Sequence, residues 1–249
     1  MKKHISVFGL FARSSACSVL VILILLCAFE ILSFHIQLQD ALDTYGATGE
    51  MPPLERMFSY ASTDVLFKGA LVLVTLVLCL PGCSFKSRTG YTLCRLSVSE
   101  RATFFHQAVY NVLIYLVLMA TQLTVAYGLA RYYIAMAPAE CISNQTLVLA
   151  FYRSEFLHSL LPLEDVGLWV RNGLLLLSLG LAAAEFPYRQ RRHKFSAVIV
   201  GLVLYTIGCF NRSIGSHGNT VLTVAIALTV LGAVIHTLVS KDEEVEENE

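Results

Sequence analysis

Long apolar stretches alternate with short polar clusters along this chain. The first apolar stretch covers about residues 14–34, around the unbroken run Val19-Leu20-Val21-Ile22-Leu23-Ile24-Leu25-Leu26. A second covers about 64–83 and closes on Pro81-Gly82, a pair that breaks helices. The third, about 104–130, contains no charged residue. The fourth, about 166–184, is interrupted by Arg171 near its start, and two more follow at about 195–210 and 220–239. Crossing about 30 Å of hydrocarbon takes about 20 apolar residues. The pattern therefore predicts an all-α, polytopic transmembrane helix bundle with six spans.

The polar segments between the spans are uneven. Residues 37–63 read as a polar loop containing Pro52-Pro53. Residues 144–161 place Leu147, Phe151, Leu157 and Leu161 near helical spacing, with Arg153 and Glu155 elsewhere, before Pro162. This predicts an amphipathic helix on the outer membrane surface, or one dipping part-way into the bilayer. The acidic tail, 241–249, reads as a solvated disordered end.

Composition agrees with a membrane setting. Hydrophobic residues make up 56% of the chain and charged residues 14%, against about 25% charged in a typical soluble domain. Mean hydropathy is +0.65. Formal net charge is +0, which gives no bulk attraction to nucleic acid. Lys2 and Lys3 precede the first span as they would in a signal peptide. No small-residue cleavage pattern follows its apolar core, so a retained anchor is expected.

The distribution of basic residues sets a direction. With the N-terminus inside, twelve Lys and Arg residues fall on the inner side and six on the outer side. Lys86, Arg88, Arg95 and Arg101 lie in one inner loop, and Arg189, Arg191, Arg192 and Lys194 in the other. The first outer loop is acidic, with Asp40, Asp43, Glu50 and Glu55. Both termini are thus expected in the cytoplasm. Short loops and a lysine-led start favour a bacterial cell membrane. The sequons at Asn144 and Asn211 would matter only in a eukaryotic secretory membrane.

Ionisable and amide residues inside spans are candidates for function. Glu30 lies near the outer end of the first span, within reach of the interface. Asp64 and Lys68 are four apart, the spacing of a pair on one helix face. Gln107 and Asn111 share a face of the third span, where interhelical hydrogen bonding is the simpler role. No H-E-x-x-H or G-x-x-x-x-G-K-[ST] pattern occurs, and the seven cysteines form no C-x-x-C pair. No catalytic, cofactor or metal site is expected, and an enzyme is not the favoured class.

The inner loop between spans two and three, Tyr91-Thr92-Leu93-Cys94-Arg95-Leu96-Ser97-Val98-Ser99-Glu100-Arg101, joins a short amphipathic segment to a helix that Ser97 or Ser99 can cap. It resembles the segment "thr-leu-x-x-leu-pro-val-ser-arg" of the type-2 permease subunits of ATP-binding-cassette exporters, with Ser97 where proline is usual. The resemblance implies a membrane-spanning export subunit that couples to a separate ATP-binding subunit through Thr92, Leu93, Arg95, Leu96, Val98, Glu100 and Arg101. It also implies a homodimer or a paired permease. The last outer loop, Asn211 to Asn219, departs from the family, many of whose members have re-entrant structure there. A second class is a non-transporting sensor or assembly factor, suggested by the outer amphipathic segment and by spans poor in polar residues.

Overall fold

A computed structural model of the chain describes residues 2–83, 99–191, 196–211 and 216–246. The described residues are mostly helical, with no strand among them. In chain order the helices are α1 (Lys2–Thr48), α2 (Leu54–Tyr60), α3 (Thr63–Cys79), α4 (Glu100–Met136), α5 (Thr146–Arg153), α6 (Glu155–Leu160), α7 (Val166–Gln190), α8 (Val198–Cys209) and α9 (Ser216–Glu246). A 3-10 turn at Ala139–Cys141 lies between α4 and α5.

Four segments are long and apolar enough to cross a membrane: Val7–Thr48, Arg101–Met136, Val166–Gln190 and His217–His236. The α2–α3 pair, bent by 50°, passes the same test when taken as one span. The expected span at 195–210 forms α8, whose 12 residues cover only about 18 Å.

Helix α1 goes well beyond the expected span. Its 47 residues extend about 70 Å and include residues 37–48, which the sequence pattern assigns to a loop. That stretch is polar but helix-compatible. It buries Leu38 and Ala41, which continue the helical spacing of buried Phe34, and Thr44 bonds back to the Asp40 carbonyl at 2.9 Å. Gly49 ends the helix with φ +72°, donating to the Tyr45 carbonyl at 2.8 Å. The α2–α3 bend passes through Ser62 in the left-handed region at φ 52°. Ser33 of α1 holds that bend by donating to the Ala61 carbonyl at 2.9 Å.

The expected outer helix at 144–161 is instead two short helices. Ser154 ends α5 and caps α6, its side chain accepting from the Leu157 amide at 3.4 Å. Phe151, Phe156, Leu157 and Leu160 are buried against the protein rather than laid on a surface. The acidic tail also differs from expectation, since α9 remains helical through Glu246.

Polar contacts fix the directions of the helices. Ser15–Tyr110 (2.8 Å) and His35–Tyr132 (2.9 Å) show α1 and α4 running side by side and parallel. Thr75–Tyr115 (2.8 Å) and the Gln107 amide on the Pro81 carbonyl (3.1 Å) set α3 antiparallel to α4. Helix α7 occupies the middle, packed against α3, α4, α8 and α9. Its Gly180 is required by α4: a Cβ there would strike the Val112 side chain and come within 3.0 Å of the Val112 backbone nitrogen.

The bundle has a mainly apolar core that also encloses several polar groups, and its outward faces are apolar too. Leu20, Ile24, Phe29 and Leu32 on α1, Val109, Leu113 and Leu116 on α4, and Val221, Leu228 and Leu231 on α9 are exposed. Glu30, Gln122, Asn111, Arg171, Asn172 and Glu185 are buried. A chain solvated by lipid needs this arrangement, because hydrocarbon cannot satisfy polar groups.

Candidate functional site

Residues of α2, the start of α3, the α5–α6 break at 153–156 and Asn211 build a polar cup of about 320 Å³ at one end of the bundle. Its rim carries three carboxylates, Glu55, Asp64 and Glu155, and two guanidinium groups, Arg56 and Arg153, over a floor that includes Phe58 and Phe156. Arg153 pairs with Glu55 at 3.7 Å but is 62% exposed, so the pair is loose and open to solvent. Asp64 is more tightly held. Its Oδ2 accepts from Lys68 Nζ at 3.3 Å and from Asn211 Nδ2 at 3.1 Å.

Beneath the cup, the rings of Phe67, Phe156 and Phe210 pack together, with centroids 5.3–6.4 Å apart. Arg171, only 2% exposed, lies below this cluster with its guanidinium 5.8 Å from the Phe210 ring centroid. Its Nη2 donates to the Phe210 carbonyl at 3.0 Å and to Asn172 Oδ1 at 3.2 Å. Asn172 in turn donates to the Ser159 carbonyl of α6 at 2.7 Å. Through these bonds the start of α7 holds both α6 and the end of α8. The N-terminus of α7 is separately capped by Asp165, which accepts from Gly167 N at 2.8 Å and Leu168 N at 3.3 Å.

The cup can engage a small solute bearing both charges. Its carboxylates suit an ammonium group, its arginines suit a carboxylate or phosphate, and its volume lies at the lower end of the range typical of ligand pockets, about 300 Å³ upward. Among the described residues no group of three or more His, Cys, Asp or Glu side chains is placed to hold a metal ion.

The intramembrane candidates lie elsewhere and apart from one another. Glu30 is turned into the bundle: it is 0% exposed, and Gln122 Nε2 donates to its two oxygens at 2.8 and 3.1 Å. Gln107 reaches the chain after α3, whereas Asn111 donates to the Gly180 carbonyl of α7 at 3.4 Å. The expected Asp64–Lys68 pair forms.

In the coupling segment, Thr92, Leu93, Arg95, Leu96 and Val98 lie outside the described residues, as do Arg192 and Lys194 of the basic cluster. Glu100 and Arg101 open α4 behind the cap of Ser99, which accepts from the Ala102 amide at 3.3 Å. Arg189 is bound at 2.7 Å to buried Glu185, and Arg191 Nε donates to the Pro187 carbonyl at 3.3 Å.

Several of these residues escape a reading of the sequence. Glu185 stands four before Arg189, and that spacing was the available signal. Gln122 is 92 positions from Glu30, and Asn211 is 147 from Asp64, so no local pattern pairs them. No family model matches the chain, and no curated protein or solved structure is similar to it.

Proposed function

We propose that the protein crosses the membrane six times with both termini in the cytoplasm, and that it is a non-transporting sensor or assembly factor whose recognition site is the outer cup. Helix α8 is short but counts as a crossing in this reading. It starts beyond the C-terminal end of α7 and finishes with Phe210 beside Arg171, near the start of α7. The two-to-one excess of basic residues supports a cup on the outer face and the 84–101 and 189–194 segments inside.

One observation carries the non-transporting reading. Glu30, Arg171 and Glu185, the acidic and basic side chains buried among the described residues, each bind a partner within the same chain. The Glu30–Gln122 and Arg171–Phe210 bonds join separate elements, as interhelical glue does, whereas Glu185 and Arg189 pair within α7. The cup, in contrast, presents charges of both signs to solvent and is bonded through Asn211 and Arg171 to the central helix. A thermal-unfolding screen of the purified chain against free amino acids and phosphoethanolamine tests this role. A stabilising zwitterion whose effect disappears in Asp64→Asn supports it. A flat response across the series contradicts it.

The second reading is the membrane-spanning subunit of an ATP-binding-cassette export system, in a bacterial cell membrane, as a homodimer or paired permease. Its support is the Ser99 cap, which starts α4 directly after the segment that resembles a coupling helix. In this reading ATP-driven closure of the partner ATPase pushes on Leu93 and Leu96, tilting α3 and α4. An ATPase that co-purifies in mild detergent and is released by Leu93→Asp with Leu96→Asp supports it; retention by that variant overturns it.

A further inference from the structure

Two sequons of the N-x-[ST] type lie on the outer side in the proposed orientation, Asn144-Gln145-Thr146 and Asn211-Arg212-Ser213. Their asparagines have opposite surroundings. Asn144 is exposed in the turn that leads into α5. The bonds that shape this turn run between its neighbours. Thr146 Oγ1 accepts from the Ser143 amide at 2.8 Å, and Ser143 Oγ accepts from the Gln145 amide at 3.3 Å. Neither bond uses the Asn144 side chain, and both are open to solvent. Local, exposed bonds of this kind open at little cost. An enzyme can therefore draw residues 144–146 into an extended strand and engage the Thr146 hydroxyl without disturbing the packed core.

Asn211 is tied down. The nitrogen that would carry a sugar, Nδ2, donates to Asp64 Oδ2 at 3.1 Å, and the residue lines the cup. Phe210 before it is buried, and its carbonyl is held by Arg171. Residues 210–215 join α8 to α9, at most about 20 Å of chain when fully extended. A segment tethered so closely between two helix ends cannot lift its asparagine clear of the bundle.

We propose that Asn144 is the N-glycan acceptor of this chain in a secretory membrane, and that Asn211 stays unmodified because of its bond to Asp64 and its short tether. The donor is a polyprenyl-pyrophosphate-linked oligosaccharide. A bond forms between Asn144 Nδ2 and the anomeric carbon of the first sugar, and the bond from that carbon to the pyrophosphate breaks. The lipid pyrophosphate leaves with the electron pair, and the amide gives up one proton. The site rests on the proposed orientation, which places residues 137–165 on the outer face. It also takes a secretory membrane in place of the bacterial one of the export reading.

The full chain, expressed in cultured animal cells and recovered in sealed microsomes, tests the site. One step in gel mobility that peptide-N-glycosidase collapses is expected, with Asn144 converted to aspartate in the released peptide. Asn144→Gln and Thr146→Ala each remove the step, and Asn211→Gln leaves it unchanged. A step that survives Asn144→Gln, or a second step lost in Asn211→Gln, overturns the proposal. Cys141, exposed and three residues before Asn144, reads the side of the membrane separately. No glycan, with Cys141 shielded from a membrane-impermeant maleimide in the microsomes, overturns the acceptor and leaves the orientation standing. No glycan, with Cys141 labelled there, overturns the orientation and the acceptor with it.

Discussion

The α1–α4 seam and the junction between α7 and α8 each bury an ionisable side chain, but they satisfy it in different ways. In the seam, Glu30 has a single partner, the amide of Gln122. At the junction, Arg171 holds the Phe210 carbonyl and the Asn172 amide oxygen and lies near the Phe210 ring. The seam joins two parallel helices that also pack along much of their length, so its polar clamp is one contact among many. The junction fastens the ends of separate elements, α6, α7 and α8, beside the packed rings of Phe67, Phe156 and Phe210. A buried charge therefore matters structurally in proportion to the chain ends it gathers rather than to its depth.

The most damaging substitution should be Arg171→Leu. It leaves the Phe210 carbonyl and Asn172 unsatisfied, and the expected loss is about 3 kcal/mol, read by thermal unfolding in detergent. Arg171→Lys should recover less than half, because an ammonium group cannot reproduce the guanidinium fork. A lysine variant as stable as the natural chain would show that charge, not geometry, holds the junction.

Gly180→Val should cost about 2 kcal/mol by overpacking against Val112, and should weaken the Asn111 bond to the Gly180 carbonyl. This separates packing at the centre of the bundle from polar fastening at its end. In the seam the effects should be smaller. A double-mutant cycle of Glu30→Gln and Gln122→Leu should give a coupling of about 0.6–1.7 kcal/mol, the range for polar contacts between membrane helices. A coupling above the Arg171 loss would reverse the comparison. Lys68→Ala should be the mildest, at about 0.5 kcal/mol or less, since Asn211 still holds Asp64.

The same contrast explains what the sequence could disclose. The cores of α1, α4, α7 and α9 are continuous apolar runs, and the Asp64–Lys68 pair follows from i,i+4 spacing, so local pattern suffices for them. The helical continuation of α1 over residues 37–48 is hidden because its residues are polar, and only the burial of Leu38 and Ala41 reveals what holds it. The break at Ser154 is hidden for another reason: Leu147, Phe151, Leu157 and Leu161 keep near-helical spacing across it, while the serine caps a new helix. The cup depends on Asp64, Arg153 and Asn211 meeting from distant positions. Only the fold supplies that.

Orientation is the central claim, and two native cysteines read it directly. Cys141 is exposed at the cup end, and Cys94 lies in the basic 84–98 segment. Two variants, each retaining one of these cysteines, are treated with a membrane-impermeant maleimide in intact and then permeabilised cells. Labelling of Cys141 in intact cells, with Cys94 reacting only after permeabilisation, is the predicted result. The reverse order, or equal labelling of both in intact cells, would contradict the account.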